Sequence, residues 1–304
     1  MTDWLQIHRG EAPLVVAFPH GGTGLGGIEP RFVSPWLARR DADWWIAELY
    51  EFVKDLGATT IATEVSRSVI DVNRDPSGAS LYPGMATTEL CPTTSFDGER
   101  LYRAFDPEED EIEWRRRTFF DPYHAAITAE IERLRALHPR VVLYDAHSIR
   151  SRIPRLFEGE LPQFNLGTNN GATCDPELES ALVEVLKQAC AATKSPPPAG
   201  EGWEGGSALS MAGNPHPNPS PQGRGFDWIA NGRFKGGWTT RHYGAPAKGV
   251  HAVQMELAQR GYMDEPEVPH EGCWPGTKHA HPAIEPSLRA LIAACLTFAE
   301  GTPA

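Results

Sequence analysis

A chain of 304 residues with an ordinary share of apolar side chains is long enough to bury an ample core, as one large domain or two modest ones. Its formal charge of −12, from 28 basic and 40 acidic side chains, argues against a general nucleic-acid binder and requires a local cluster of arginines for any anionic substrate. No apolar run of membrane-spanning length occurs, and no basic-then-apolar leader follows Met1-Thr2-Asp3-Trp4. The five cysteines (Cys91, Cys174, Cys190, Cys273, Cys295) are scattered and form no C-x-x-C pair, which points to a reducing, cytoplasmic setting.

Pro13-Leu14-Val15-Val16-Ala17-Phe18 reads as a buried strand that runs into Pro19-His20-Gly21-Gly22. The glycine-rich loop Gly21–Gly27 lacks the lysine of a phosphate-binding P-loop, and a histidine precedes it where a helix should follow. Asp41 to Leu56 carries apolar residues at helical spacing with acids at its start, so a helix closed by Gly57 is expected, with Asp41 or Asp43 free to cap it. A strand over 58–63 leads into Ser66–Pro76, where Arg67 and Arg74 flank Val69, Ile70 and Val72. Arginines so close to buried residues normally hold an anion. Residues 77–105 are turn-rich and read as a surface excursion. Glu108–Leu137 reads as a long helix with a possible break at Pro122.

Arg140-Val141-Val142-Leu143-Tyr144 is a second short buried strand, ending in Asp145-Ala146-His147-Ser148. Ligands of open α/β sheets gather beyond the carboxyl ends of strands, and this is the second strand to deliver a histidine there. Arg150, Arg152 and Arg155 follow, then a loop over 165–171 and a helix over Pro176–Ala191. Residues 195–225 are too rich in Pro, Gly and Ser to fold alone and read as an insertion within one domain, which makes His216 irrelevant to chemistry. A basic, glycine-bearing loop over 231–244 contains Lys235 and Arg241. Val250–Leu257 is a strand with Glu256 near its end, and 284–300 a final helix.

Four strands thus bring His20, then Arg67 with Asn73 and Arg74, then His147, then Glu256 toward one sheet edge. Two histidines and a carboxylate with an open position make a hydrolytic zinc site. A separate glutamate can carry the proton from water to a leaving amine, and arginines can hold substrate carboxylates by bidentate contacts. Together these residues describe metal-assisted hydrolysis of an amide in a small acidic compound.

The blocks Pro19–Gly22, Ser66-Arg67 with Ile70–Pro76, Asp145–Arg150, Phe234–Trp238 and Val253–Leu257 resemble, in order, those of the N-formylglutamate amidohydrolase family. That family is related more distantly to zinc carboxypeptidases and aspartoacylases. The resemblance implies an α/β fold with a mixed, mostly parallel eight-stranded sheet between helices. The implied reaction is hydrolysis of N-formyl-L-glutamate to formate and glutamate in histidine breakdown. It also implies His20 and His147 as zinc ligands, Asn73-Arg74 on the substrate α-carboxylate and Glu256 as general base. The carboxypeptidase glutamate three residues after the first histidine is replaced by Thr23, so Asp43 is taken as the third ligand, with Asp41 and Glu64 as alternatives. Arg67, Arg150 and Arg241 are the candidates for the second carboxylate or the carbonyl oxygen, and Lys235 joins them as a substrate-binding cation. Hydrolysis of another N-acyl amino acid, or non-catalytic binding of a small anion, are the competing readings.

Overall fold

The computed structural model describes residues 4–79, 88–194, 225–279 and 284–301. Residues 195–224 of the proline-rich insertion read over 195–225, His216 included, and residues 80–87 of the turn-rich 77–105 segment lie outside the described residues. Among the described residues seven strands, against the eight that the resemblance implies, form one mixed sheet: β1 (Leu5–His8), β2 (Leu14–Phe18), β3 (Thr59–Thr63), β4 (Val141–Ile149), β5 (Phe164–Gly167), β6 (Trp228–Ala230) and β7 (Val250–Ala258). Their spatial order is β1-β3-β2-β4-β7-β5-β6. The four central strands β3, β2, β4 and β7 are mutually parallel, and antiparallel pairing is confined to β1 on β3 and β5 on β7.

Pleating sorts the side chains of the central strands onto two faces. Leu14, Val16 and Phe18 of β2, with Val142, Tyr144 and Ala146 of β4 and Val253, Met255 and Leu257 of β7, enter one core. There they meet Leu178, Leu182 and Leu186 of α5 (Pro176–Lys194) and Leu288, Leu291 and Ile292 of α7 (Ile284–Glu300). Val15 and Ala17, with Val141, Leu143 and Ala252, enter the opposite core and pack on Tyr123, Ile127, Ile131 and Leu134 of α4 (Asp121–Arg135). Continuing the alternation puts Asp145 and His147 of β4 and Gln254 and Glu256 of β7 on the α4 side. The register pairs His147 with Glu256. A one-residue slip of β4 would exchange both sets, which is why the buried faces specify the register strongly.

Several expectations from the sequence are corrected. The helix expected over Asp41–Leu56 is reduced to α2 (Ile46–Leu49) and a 3-10 turn Glu51–Val53, with Trp45 at φ 63°, and a separate short helix α1 (Leu37–Arg40) ends just before Asp41. The Asp43 amide donates to the His20 carbonyl at 2.9 Å, so this chain segment is committed to the site and not to a helical ladder. The strand read as 141–144 runs on to Ile149, because pairing with β7 continues through the polar residues. Part of the loop read over 165–171 is β5. The expected surface excursion is exposed at 77–79, 97–100 and 103–105, but it also anchors itself in the core through Leu90, Cys91, Phe96, Leu101 and Tyr102, which are buried.

The helix read over Glu108–Leu137 forms as α3 (Glu109–Arg115) and α4, joined by a π-helical turn over Arg116–Phe120 just before Pro122. Proline offers no N–H to the preceding turn, and the wider turn accommodates it. All five cysteines are free. No described helix is long and apolar enough to cross a membrane.

Candidate active site

His20 leaves the end of β2, His147 points from β4, and Asp43 is carried in by the broken segment between α1 and α2. One ligand atom from each lies within 4.8 Å of the others, and all three residues are buried. The two Nδ1 atoms face each other at 3.1 Å, and Asp43 Oδ2 lies 3.3 Å from the His147 and 3.8 Å from the His20 nitrogen. The outer nitrogens are both engaged: His20 Nε2 with Asp71 Oδ1 at 2.6 Å, His147 Nε2 with Asp145 Oδ2 at 3.0 Å. A carboxylate behind each imidazole fixes its tautomer and directs the other nitrogen inward, the arrangement expected behind metal-ligating histidines.

The donor set fits a divalent cation. Two nitrogens and a carboxylate oxygen converging at these distances need a positive charge among them. Asp43 Oδ1 and Asp145 Oδ1 are buried without hydrogen-bond partners. Asp43 Oδ2 accepts the Ser148 N–H at 2.9 Å, which orients the carboxylate. Glu64 is exposed. Asp41 is turned away, accepting the Phe96 N–H at 2.6 Å, so of the three carboxylates considered from the sequence Asp43 is the one beside the histidines.

Electrostatics polarise the pair. Burial, aided by the Arg67 charge, lowers the His20 pKa. Burial also opposes a charged His147, but Asp145 and Asp43 outweigh it and hold that pKa well above the usual value. For Asp71, burial is outweighed by His20, Arg74 and Arg67, which hold its carboxyl well below the usual range. Arg67 Nη2 donates to Asp71 Oδ2 at 2.8 Å, with the guanidinium stacked 4.7 Å over the Phe96 ring.

Glu256 stands beside His147 in the neighbouring strand. Burial pushes its pKa up to about 7, with Asp43 reinforcing the rise and His147 and Arg67 opposing it. Its Oε2 accepts from Gln254 Nε2 at 3.0 Å, and Gln254 Oε1 accepts the Gly237 N–H at 2.7 Å. A carboxylate titrating near neutrality is suited to take up and release protons.

The cavity opening onto this cage is lined by His20, Arg67, Asn73, Arg74, Thr88, Phe96, His147, Ile149, Leu156, Arg233, Phe234, Gly237, Gln254 and Glu256. Six of the residues singled out in the sequence (His20, Arg67, Asn73, Arg74, His147 and Glu256) are therefore brought together, with Asp43 buried behind the histidines. Arg150, Lys235 and Arg241 are not among the lining residues. Arg150 Nη2 lies 2.7 Å from Asp97 and 3.5 Å from Asp41, and Arg241 Nε donates to the Gly236 carbonyl.

Asp71, Gln254 and Arg233 were not singled out from the sequence. An aspartate between Ile70 and Val72, and a glutamine two residues before Glu256 on the same strand face, are the signals that mark the first two.

Two glycines explain local chain paths. A Cβ at Gly22 would lie 2.3 Å from the Glu64 carbonyl carbon, so the glycine-rich loop serves the close approach of the β2 exit to the β3 exit. A Cβ at Gly237 would lie 2.3 Å from the Asn73 amide nitrogen, whose Oδ1 accepts the Thr239 N–H at 2.9 Å. Gly237→Ala should therefore displace Asn73 and cost about 1–3 kcal/mol, as overpacking does. Denaturant unfolding checks this, and a midpoint equal to wild type would mean the Asn73 amide yields freely.

Fold and site define an α/β protein with a candidate metal centre at the carboxyl edge of its sheet. Residues 12–263 match the family described as N-formylglutamate amidohydrolase. The N-formylglutamate deformylases of Pseudomonas putida and Pseudomonas aeruginosa are each 42% identical to this chain, over 269 and 267 residues, covering 88% and 87% of both partners. The crystal structure of N-formylglutamate amidohydrolase from Ralstonia eutropha JMP134 superposes with a TM-score of 0.68 at 23% identity, over 98% of this chain and 97% of that one. A gene product of Agrobacterium tumefaciens follows at TM-score 0.60 and 15% identity, over 98% and 95%. These two structures bear on the fold. The chain belongs to the N-formylglutamate amidohydrolase family. It is an amide-hydrolysing enzyme, as the five sequence blocks led us to expect.

Proposed function

We propose that this enzyme hydrolyses N-formyl-L-glutamate to formate and L-glutamate, within one catalytic domain, using a divalent metal ion, zinc in the first instance. The observation that carries the reading is the meeting, at one cavity, of the His20–Asp43–His147 cluster with Glu256. The substrate comes from the printed names of the 42% identical relatives. A small N-acyl amino acid also suits a cavity that contains several arginines within an acidic protein. The five free cysteines accord with work in a reducing cytoplasm, where histidine breakdown would supply the substrate.

Held by His20, Asp43 and His147, a divalent cation supplies Lewis acidity toward a carbonyl oxygen and makes water more acidic. The remaining work falls to this chain's own groups. Glu256 takes a proton from the attacking water as its oxygen bonds to the formyl carbon. It returns that proton to the amine nitrogen as the C–N bond breaks, which releases formate and glutamate. Arg67, fixed against Asp71 and Phe96, presents positive charge for the oxyanion that builds on the formyl oxygen. Asn73 and Arg74 hold the α-carboxylate. Arg74 is oriented by bonds to the Thr88 carbonyl and hydroxyl, at 3.0 and 3.1 Å.

Purified enzyme should contain about one divalent ion per chain. It should favour N-formyl-L-glutamate over N-acetyl-L-glutamate and N-acetyl-L-aspartate in kcat/KM. Elemental analysis and that substrate panel test both halves. Full activity without metal would sink the mechanism, and equal turnover of the acetyl compounds would favour the broader N-acyl amino acid reading.

A further inference from the structure

The proposed substrate carries two carboxylates, and the α-carboxylate already has Asn73 and Arg74. Among the described residues, three guanidiniums line the cavity: Arg67, Arg74 and Arg233. Arg67 and Arg74 share Asp71, at 2.8 and 3.6 Å, and Arg67 also faces Asp43 at 3.6 Å. Both are thereby tied to the histidine cage. Arg233 comes from elsewhere, on the loop between β6 and α6 (Trp238–Tyr243). Its Nε donates to the Leu156 carbonyl at 3.0 Å, and its guanidinium lies 5.5 Å from the centre of the Phe234 ring.

Leu156 and Phe234 pack on a separate apolar cluster with Phe96, Ile149 and Ile153. Phe96, Ile149, Leu156 and Phe234 all line the cavity. The wall that carries Arg233 is thus hydrocarbon, suited to the two methylenes of a glutamate side chain, with a cation held on it. Arg150 and Arg241, which the sequence offered for the second carboxylate, do not line the cavity.

We infer that Arg233 receives the side-chain carboxylate of the substrate and sets the preference for an acidic over a neutral amino acid. The assignment rests on the substrate reading proposed above. Leu156 and Phe234 hold the guanidinium in place and contact the methylenes, so charge and hydrocarbon are read by one wall.

The test compares kcat/KM for N-formyl-L-glutamate with that for N-formyl-L-glutamine, a neutral substrate of nearly the same shape. Wild type should prefer the glutamate. In Arg233→Met that preference ratio should fall by about 10- to 100-fold, the size of a lost charged hydrogen bond. Arg233→Lys, which keeps charge without the planar fork, should give an intermediate ratio. A ratio equal to wild type in either variant overturns the assignment while leaving the substrate reading intact. A wild-type enzyme with no preference between the two compounds overturns the substrate reading itself, and the assignment with it.

Discussion

Glu256→Gln is expected to leave the fold and the bound metal intact and to lower kcat by about 10²-fold or more. The amide oxygen of glutamine can still accept the bond that Gln254 Nε2 now gives to Glu256, so the local hydrogen bonding survives. What is lost is a group that can accept a proton. The pH profile gives a second reading. Burial raises the Glu256 pKa to about 7, and only the deprotonated form is a base, so kcat/KM should rise with pH through an acidic limb. A cation bound beside Glu256 favours the carboxylate and draws that limb to or below about 7. In Glu256→Gln the limb should vanish. Near-normal turnover by the variant, or an unchanged limb, would reassign Glu256 to a structural role.

His147→Ala should abolish metal retention and lower kcat/KM by about 10³-fold or more, the several kcal/mol that a Lewis acid supplies. The substitution leaves Asp145 and Asp43 buried without the imidazole between them. Breaking one side of such a pair costs about 3–5 kcal/mol of stability. Elemental analysis, circular dichroism and kinetics should be run together, so that loss of the ion is separated from loss of the fold. A folded variant that keeps its metal and more than a tenth of its activity would remove His147 from the ligand set.

The parts of this site that were legible in the sequence lie where a strong local pattern breaks. Val15-Val16-Ala17-Phe18 before His20 and Val142-Leu143-Tyr144 before His147 are uniformly apolar runs that end in a single functional group. The contrast marks both the central strands and their carboxyl ends. Asp43 was harder to place. Its neighbours Trp44, Trp45 and Ile46 mimic a helical face, and only the tertiary bond from its amide to the His20 carbonyl reveals that the segment is curled around the site. β5 escaped notice because Asn165 and Gly167 look like loop residues. In the fold the Asn165 side chain bonds to the Pro162 and Glu256 carbonyls. Arg233 could not be told from Arg150 or Arg241 by sequence, since all three occupy polar loops. What separates them is which way the loop turns, and contacts distant in sequence such as Arg233 to Leu156 decide that.

The position of β4 between β2 and β7 has a bearing on how the protein is made. His147 and Glu256 are adjacent in the sheet but more than a hundred residues apart in the chain. At translation rates of roughly 5–20 residues per second, several seconds separate the synthesis of the two strands. During that interval β2 and β4 can pair, but the other side of β4 has no partner, and all nine of its residues are ones the finished protein buries. Such an edge is a template for pairing between chains. Nascent or truncated polypeptides that stop short of Val250 are therefore the aggregation-prone species of this enzyme, and arrival of β7 both seals that edge and delivers the glutamate of the site.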